Sequence, residues 1–440
     1  MIFIYLDMNL NSLTPTSKIL KKLANYSSGQ PVTSGDVPNI AIINTCDVIE
    51  SKRLVENVIF GVKSQGAGIF VHNVPDFGFH NTISPMTAKY AESFRRVAVS
   101  NAEAIIRTNM VDGVVIIADC EVTAAGLLEG CLKTNCPALV LPCALLIIDN
   151  REILRTAGRV TSGEITSVQC EDIARNSAEA RCDGTFFDLL GHVGLSVDTA
   201  DACNPVSGAR FIAAKNTGEK IVSYAKDLNS PKKLLNKNTY QSLIEYCLQS
   251  GGNISALALI NKLYAANDVK TAHEFLGERA SKISPTTSRV VLAKGTACSG
   301  GGYIQYGEST IPMFSGKAWV YATPEDADTA LLLGNIPKGS VVVLHNCVDV
   351  NVSAFAYAIE GMGREKDIAL VTDGICEKTN VLVVQMCTPN SLANEEFANI
   401  QNGDALEIDI ARGRLNTSIM AKDQKVRAKK NTNRKQTVYF

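Results

Sequence analysis

The first half of the chain alternates short apolar runs with longer stretches in which apolar residues recur every three to four positions. IAIIN (Ile40 to Asn44), GIFVHNV (Gly68 to Val74), VVIIADC (Val114 to Cys120) and PALVLPC (Pro137 to Cys143) have the length and β-branched content of buried strands. Helical patterns lie between them, over Ser51 to Lys63, about Met86 to Arg107 and about Thr123 to Lys133. In the last of these Leu127, Leu128, Cys131 and Leu132 form one apolar face, while Glu129 and Lys133 sit four apart on the other. Strands alternating with helices of this length predict a parallel sheet.

From about Ile165 to Leu276 the pattern turns helical, with candidates at Ile173 to Ala180, Arg210 to Lys226, Thr239 to Leu248 and Ile254 to Ala266. After SKISPTTS it changes again. SRVVLAK, GKAWVYA, SVVVLHN, IALVTDG and VLVVQM read as short strands separated by Gly- or Pro-bearing turns. CSGGGY (Cys298 to Tyr303) lacks a following helix that would cradle a phosphate and reads as a flexible turn. The expected fold class is therefore α/β: a parallel-sheet domain over 1–284, a smaller β-rich domain over 285–418, and a basic tail over 419–440. Seven Lys or Arg against one Asp between Ala421 and Phe440 read as a solvated tail rather than a nucleic-acid contact.

Composition narrows the class of protein. The chain has 440 residues, 46% of them apolar, and a formal net charge of −1, which excludes a large polyelectrolyte partner. No apolar run is long enough to span a bilayer, and MIFIYLDMNLNSL lacks the positive region of a secretory signal, so a cytoplasmic location is expected. Thirteen cysteines in that setting are free thiols or metal ligands rather than a disulfide framework. There is no CxxC pair, GxxxxGK[ST] loop, dinucleotide fingerprint or HExxH. The five histidines, at 72, 80, 192, 273 and 345, show no ligand spacing.

Chemistry concentrates at three strand ends: Asn44-Thr45-Cys46-Asp47, Pro75-Asp76 and Asp119-Cys120-Glu121. Parallel neighbouring strands bring such ends to one edge, where ligands of α/β sheets bind. A thiol between two acids can be a metal ligand, a nucleophile or a small core residue, and each cysteine taken alone is more often the last.

Several segments, in order, resemble the dihydroxy-acid dehydratase / 6-phosphogluconate dehydratase family. They are GDVPNIAIINTCDVIE, VDGVVIIADCEVTAAGLLEGCLKTNCPALVLP, RCDGTFFDLLGHVGLS, NKNTYQSLIEYCLQSGGNISALALI, FSGKAWVYATPEDADTALLLGNIPKGSVVVL and NGDALEIDIARGRL. The resemblance runs from about Val37 to Leu415 in a chain shorter than typical members. It implies a swivelling β-barrel-like second domain and a homodimer. The implied reaction is elimination of water from a 2,3-dihydroxy acid to an enol that becomes a 2-keto acid, on an iron–sulfur cluster (2Fe–2S) with Mg²⁺ at the carboxylate end.

Carried over by position, the cluster cysteines are Cys120 and Cys182, while the first falls on Lys52. Cys46, six residues before Lys52, is the candidate third thiolate. The Mg²⁺ acids fall on Asp76 and Glu121. The family's carbamylated lysine is Val122, its third acid is Cys347, and its serine base is Glu377, which makes Glu377 the candidate catalytic carboxylate. Of the GGSTN loop only Gly251 and Gly252 stand. Two readings follow: a diverged hydro-lyase acting on a small hydroxy or sugar acid, or a catalytically retired homologue serving as a binding or partner subunit.

Overall fold

The computed structural model describes residues 19, 38–46, 49–75, 90–143, 151–176, 185–197, 208–250, 254–269, 290–307, 312–347, 350–386, 395–418 and 427. Its first part is a four-stranded parallel sheet of β1 (Asn39–Asn44), β2 (Gly68–Asn73), β3 (Gly113–Ala118) and β4 (Ala138–Pro142), in the order β2-β1-β3-β4. All residues of β1, β3 and β4 are buried, as near-continuous aliphatic runs require when helices cover both faces of a sheet.

One face is covered by α1 (Ile49–Ser64), whose Leu54, Val58 and Val62 meet Ile40, Ile42, Val115 and Ile117. On the other lie α2 (Ala91–Thr108) and α3 (Glu121–Lys133), which bury Ala98, Ala102, Leu127 and Leu128 against Ala41, Ile43, Val114 and Ile116. Gly126 and Gly130 let α2 and α3 approach closely: a Cβ on Gly130 would come within 2.7 Å of the Val99 carbonyl oxygen. Because β1 connects outward to β2 and β3 lies on its other side, the chain changes direction between β1 and β3, the switch point at which open α/β sheets bind ligands.

Next come α4 (Arg151–Thr161) and α5 (Ser167–Asn176), then α6 (Thr185–His192), α7 (Ala209–Asp227), α8 (Pro231–Leu234), α9 (Lys237–Ser250) and α10 (Ile254–Ala266). Helix α7 joins α1 on its face of the sheet, and α10 packs on α3. No described helix is long and apolar enough to cross a membrane.

The second part is a closed eight-stranded barrel, β10-β6-β5-β12-β11-β7-β8-β9. Its strands are β5 (Val290–Gly295), β6 (Cys298–Gln305), β7 (Met313–Tyr321), β8 (Ser340–Leu344), β9 (Ile368–Thr372), β10 (Leu382–Met386), β11 (Ala405–Asp409) and β12 (Arg414–Thr417). Strands β7 to β10 run parallel, with α11 (Pro324–Leu332) and α12 (Ser353–Gly361) as crossovers on the outside and α13 (Glu395–Ala398) beyond β10. Thr323 caps α11 through Asp326 and Pro324 opens it.

The glycine-rich CSGGGY is not the flexible turn its composition predicts; it forms most of β6. The glycines serve close approach: a Cβ on Gly302 would lie 2.8 Å from the carbonyl oxygen of Gln385 on the neighbouring strand. The basic tail lies outside the described residues apart from Arg427, which is not simply solvated but pairs with Asp404 at 2.6 Å.

Candidate functional site

The parallel sheet brings the three polar strand ends to one edge. Asn44 is in register with Asn73 of β2 and Ile117 of β3, and its side-chain amide donates to Asn73 Oδ1 at 3.2 Å and to the Cys46 carbonyl at 3.0 Å. The Thr45 amide donates to the Ile117 carbonyl at 3.0 Å, which carries the ladder past the end of β1. Asp76, Asp47 and Cys182 lie outside the described residues.

Cys46 and Cys120 end the two strands of the switch point, but their side chains enter different packed groups. Cys46 joins Leu54, Leu141 and Cys143 on the α1 face, whereas Cys120 joins Ala91, Phe94 and Val122 on the side of α2. Cys143, at the end of β4, and Asp119 lie near Cys46, whose Sγ is 3.9 Å from the Ile117 carbonyl oxygen. Burial first, then Cys143 and Asp119, push the Cys46 thiol well above its ordinary range. Sequence reasoning passed over Cys143 because it ends an aliphatic strand; its signal was the recurrence of a cysteine just past a buried run, as at Cys46 and Cys120.

Cys120 stands in extended conformation immediately before α3, and its carbonyl accepts the Ala124 amide at 2.9 Å. Glu121 opens the helix and accepts the Phe186 amide at 3.3 Å, so it caps the first turn of α6. That contact brings the start of α6 to the Cys120–Glu121 corner.

The barrel contributes a second edge, at the ends of β8 and β9. Asp373 is buried and accepts the backbone amides of Asn346 at 3.1 Å and Cys347 at 2.8 Å. Burial raises its carboxyl and those two bonds oppose the rise. Cys347, at the position of a family acid, is almost fully enclosed, and burial with the Asp373 and Glu325 charges pushes its thiol up to about 12. His345 is lowered to about 4 by burial and packs its ring 4.7 Å from that of Phe397.

Glu377 is half-buried in the loop between β9 and β10, where it accepts from the Asn351 side-chain amide at 3.2 Å. Its own amide donates to Ser353 Oγ at 2.7 Å, and its carbonyl accepts from Gln305 Nε2 at 2.8 Å. Gln305 and Tyr303 lie on one face of β6, and Tyr303 packs into the core of the α/β domain while Ile304 points into the barrel. The strand that holds the Glu377 loop is therefore the one the barrel presses against the α/β domain.

A cluster with an open iron needs three thiolates, and Mg²⁺ needs several hard oxygens. Lys52 is exposed on α1, Val122 sits in apolar packing, and Cys347 is sealed between the barrel wall and helices α11 and α12. Among the described residues no three His, Cys, Asp or Glu side chains gather as a metal's ligand set. The described donors thus do not make up the set the resemblance implies.

The comparisons with known proteins bear on the whole chain. The dihydroxy-acid/6-phosphogluconate dehydratase N-terminal family matches residues 38–280 and its C-terminal counterpart matches residues 278–440. The chain is similar to dihydroxy-acid dehydratase of Pyrococcus abyssi, 23% identical over 90% of this chain and 89% of the relative. It is likewise similar to that of Methanococcus maripaludis strain C7, 24% identical over 92% and 90%. A third relative, from Caldanaerobacter subterraneus, is 21% identical over 77% and 78%. These matches favour the dehydratase reading over the retired subunit. Two consecutive family domains that together take in the sheet edge and the barrel edge leave one assignment: the chain belongs to the dihydroxy-acid/6-phosphogluconate dehydratase family.

Proposed function

We propose that the protein is a hydro-lyase that eliminates water from a small 2,3-dihydroxy or sugar acid to give a 2-keto acid. The observation that carries this reading is the unbroken, ordered match of both family domains across residues 38–440.

Glu377 is the proposed base. It removes the proton from C2, the electron pair of that C–H bond forms the C2–C3 double bond, and the C3 hydroxyl departs as water by taking a proton from solvent. The resulting enol gives up its O–H proton to solvent and gains a solvent proton at C3 to become the 2-keto acid. A positioned general base contributes about 10²- to 10⁴-fold to such a step. Asn351 orients the carboxylate, and Ser353 and Gln305 fix the backbone on either side of it.

The iron–sulfur cluster and Mg²⁺ of the family would draw on Cys120, Cys182, Asp76 and Glu121, whereas the Cys46 side chain packs in a different apolar group from Cys120 and does not complete the thiolate set. At the other family positions Lys52 offers no thiolate, and Val122 and Cys347 offer no hard oxygen. The homodimer and the cytoplasmic location are part of the same proposal, the first checked by sedimentation and the second by fractionation of cells that express the chain.

The test is an anaerobic assay of 2-keto acid formation from a panel of four- to six-carbon 2,3-dihydroxy and sugar acids. Formation of a keto acid by wild type, lost in Glu377→Gln, supports the reading. Wild type that produces none, with or without reconstitution by iron, sulfide and Mg²⁺, overturns it.

A further inference from the structure

Helix α12 carries a buried polar stripe of which the proposed reaction uses only Ser353. Ser353, Tyr357 and Glu360 stand at i, i+4 and i+7, and so on one face of the helix. Ser353 and Tyr357 are fully buried, and the Glu360 side chain is 5% exposed. A buried carboxylate, phenol and hydroxyl on an otherwise apolar helix carry a desolvation cost that only well-made hydrogen bonds offset.

All three bond to one short segment, the turn that follows the proposed base. Ser353 Oγ accepts the Glu377 amide at 2.7 Å. The Tyr357 hydroxyl donates to the Lys378 carbonyl at 2.9 Å. Glu360 Oε1 accepts both the Thr379 hydroxyl and the Asn380 amide. Four successive residues, 377 to 380, are thus held by one helix face, with Gln305 gripping the Glu377 carbonyl from β6.

The stripe is in turn held from the N-terminal half of the chain. Arg155 of α4 donates through Nε to the other carboxylate oxygen of Glu360 at 2.6 Å, and its guanidinium lies 5.5 Å from the centre of the Tyr357 ring. Helices α4 and α12 cross in backbone contact at two glycines. A Cβ on Gly158 would overlap the Ala358 carbonyl, and one on Gly361 would overlap that of Arg155. Arg155 is therefore set against Glu360 by the crossing itself and not by a flexible surface pairing.

We propose that Arg155 and Glu360 are positioning residues: the arm formed by α4 locks the α12 stripe, and the stripe fixes the backbone of residues 377–380 so that the Glu377 carboxylate is presented in one orientation. This rests on the reading of Glu377 given above. An error of about an ångström in such a group can cost about a hundredfold in rate.

The test uses the full chain with Glu360→Gln, Arg155→Met, Arg155→Lys and Tyr357→Phe, the last an isosteric change that leaves packing intact should Glu360→Gln fail to fold. Backbone hydrogen exchange is followed by mass spectrometry in peptides spanning 375–382, and kcat and KM are measured separately. Glu360→Gln is expected to raise exchange in this segment at least tenfold and to lower kcat about tenfold, with KM within about twofold. Arg155→Met follows in the same direction, Arg155→Lys recovers part of the loss, and Tyr357→Phe gives a smaller increase in exchange. Unchanged exchange at 375–382 in folded Glu360→Gln and Tyr357→Phe overturns the proposal, as does a rise spread evenly over the chain. If wild type forms no keto acid, the functional reading fails, and the exchange result still decides whether the stripe fixes the loop.

Discussion

The two edges that carry the candidate chemistry are built on opposite plans. At the sheet edge, Cys46 and Cys120 end adjacent strands yet pack into separate apolar groups, and the Cys46 thiol is driven toward its neutral form by burial and Cys143. At the barrel edge, Glu377 is half-exposed and residues 377 to 380 of its loop are held by buried polar side chains. A thiol sealed among aliphatic residues behaves as a core residue, whereas the carboxylate proposed as the base sits on a clamped loop and reaches solvent. Family membership fixes the scaffold, but the chemistry has to be argued from each edge in turn.

The comparison breaks most sharply at Glu377. Glu377→Gln keeps the side chain's volume and removes the base, and is expected to lower kcat about 10²- to 10⁴-fold with little change in melting temperature, checked by kinetics beside calorimetry. The next largest effect is on stability: Gly361→Val forces a branched side chain into the Arg155 backbone and should cost about 2–3 kcal/mol in a denaturant titration.

The sheet edge answers to thiol chemistry. With its thiol raised, Cys46 should be alkylated by iodoacetamide at pH 7.5 at least about tenfold more slowly than the partly exposed Cys170, as read by peptide mapping of native protein. Rapid labelling of Cys46 would mean that the edge is open and its thiols accessible to a ligand role.

The smallest effects separate the halves by pH. In the α/β half Glu92 faces burial, which raises its carboxyl, but Arg95 and Lys262 prevail and hold it at about 2. A depressed acid contributes stability above about pH 4.5 that is lost as pH falls through about 2, so Glu92→Gln should flatten the acid limb. In the barrel Asp328 is raised to about 6 by burial and by Glu325. Its folded state favours the protonated form, so stability declines as pH rises from about 4 through 6, and Asp328→Asn should recover about 1–2 kcal/mol at pH 7. Thermal unfolding between pH 3 and 8 tests both signs.

Much of the scaffold was legible in the chain. The four aliphatic runs of the first half are the four strands of the sheet, and α10 spans Ile254–Ala266 as its periodicity predicts. What escaped was set by distant partners. Helix α4 has few apolar positions, and its packing surface is made by Gly158 and Arg155 against a helix about two hundred residues away. Glycine there, as in β6, marks close approach of backbones rather than a turn, and no local pattern distinguishes the two uses. The stripe of Ser353, Tyr357 and Glu360 was equally silent, since its periodicity gains meaning only beside the Glu377 loop.

Whether Glu377 serves an elimination is decided by incubating the protein with 2,3-dihydroxy acids in D₂O and following the products by NMR. Elimination through an enol predicts a 2-keto acid carrying one solvent deuteron at C3 with wild type, formed at least about a hundredfold more slowly by Glu377→Gln. A keto acid formed without deuterium at C3, or at the same rate by Glu377→Gln, would contradict the account.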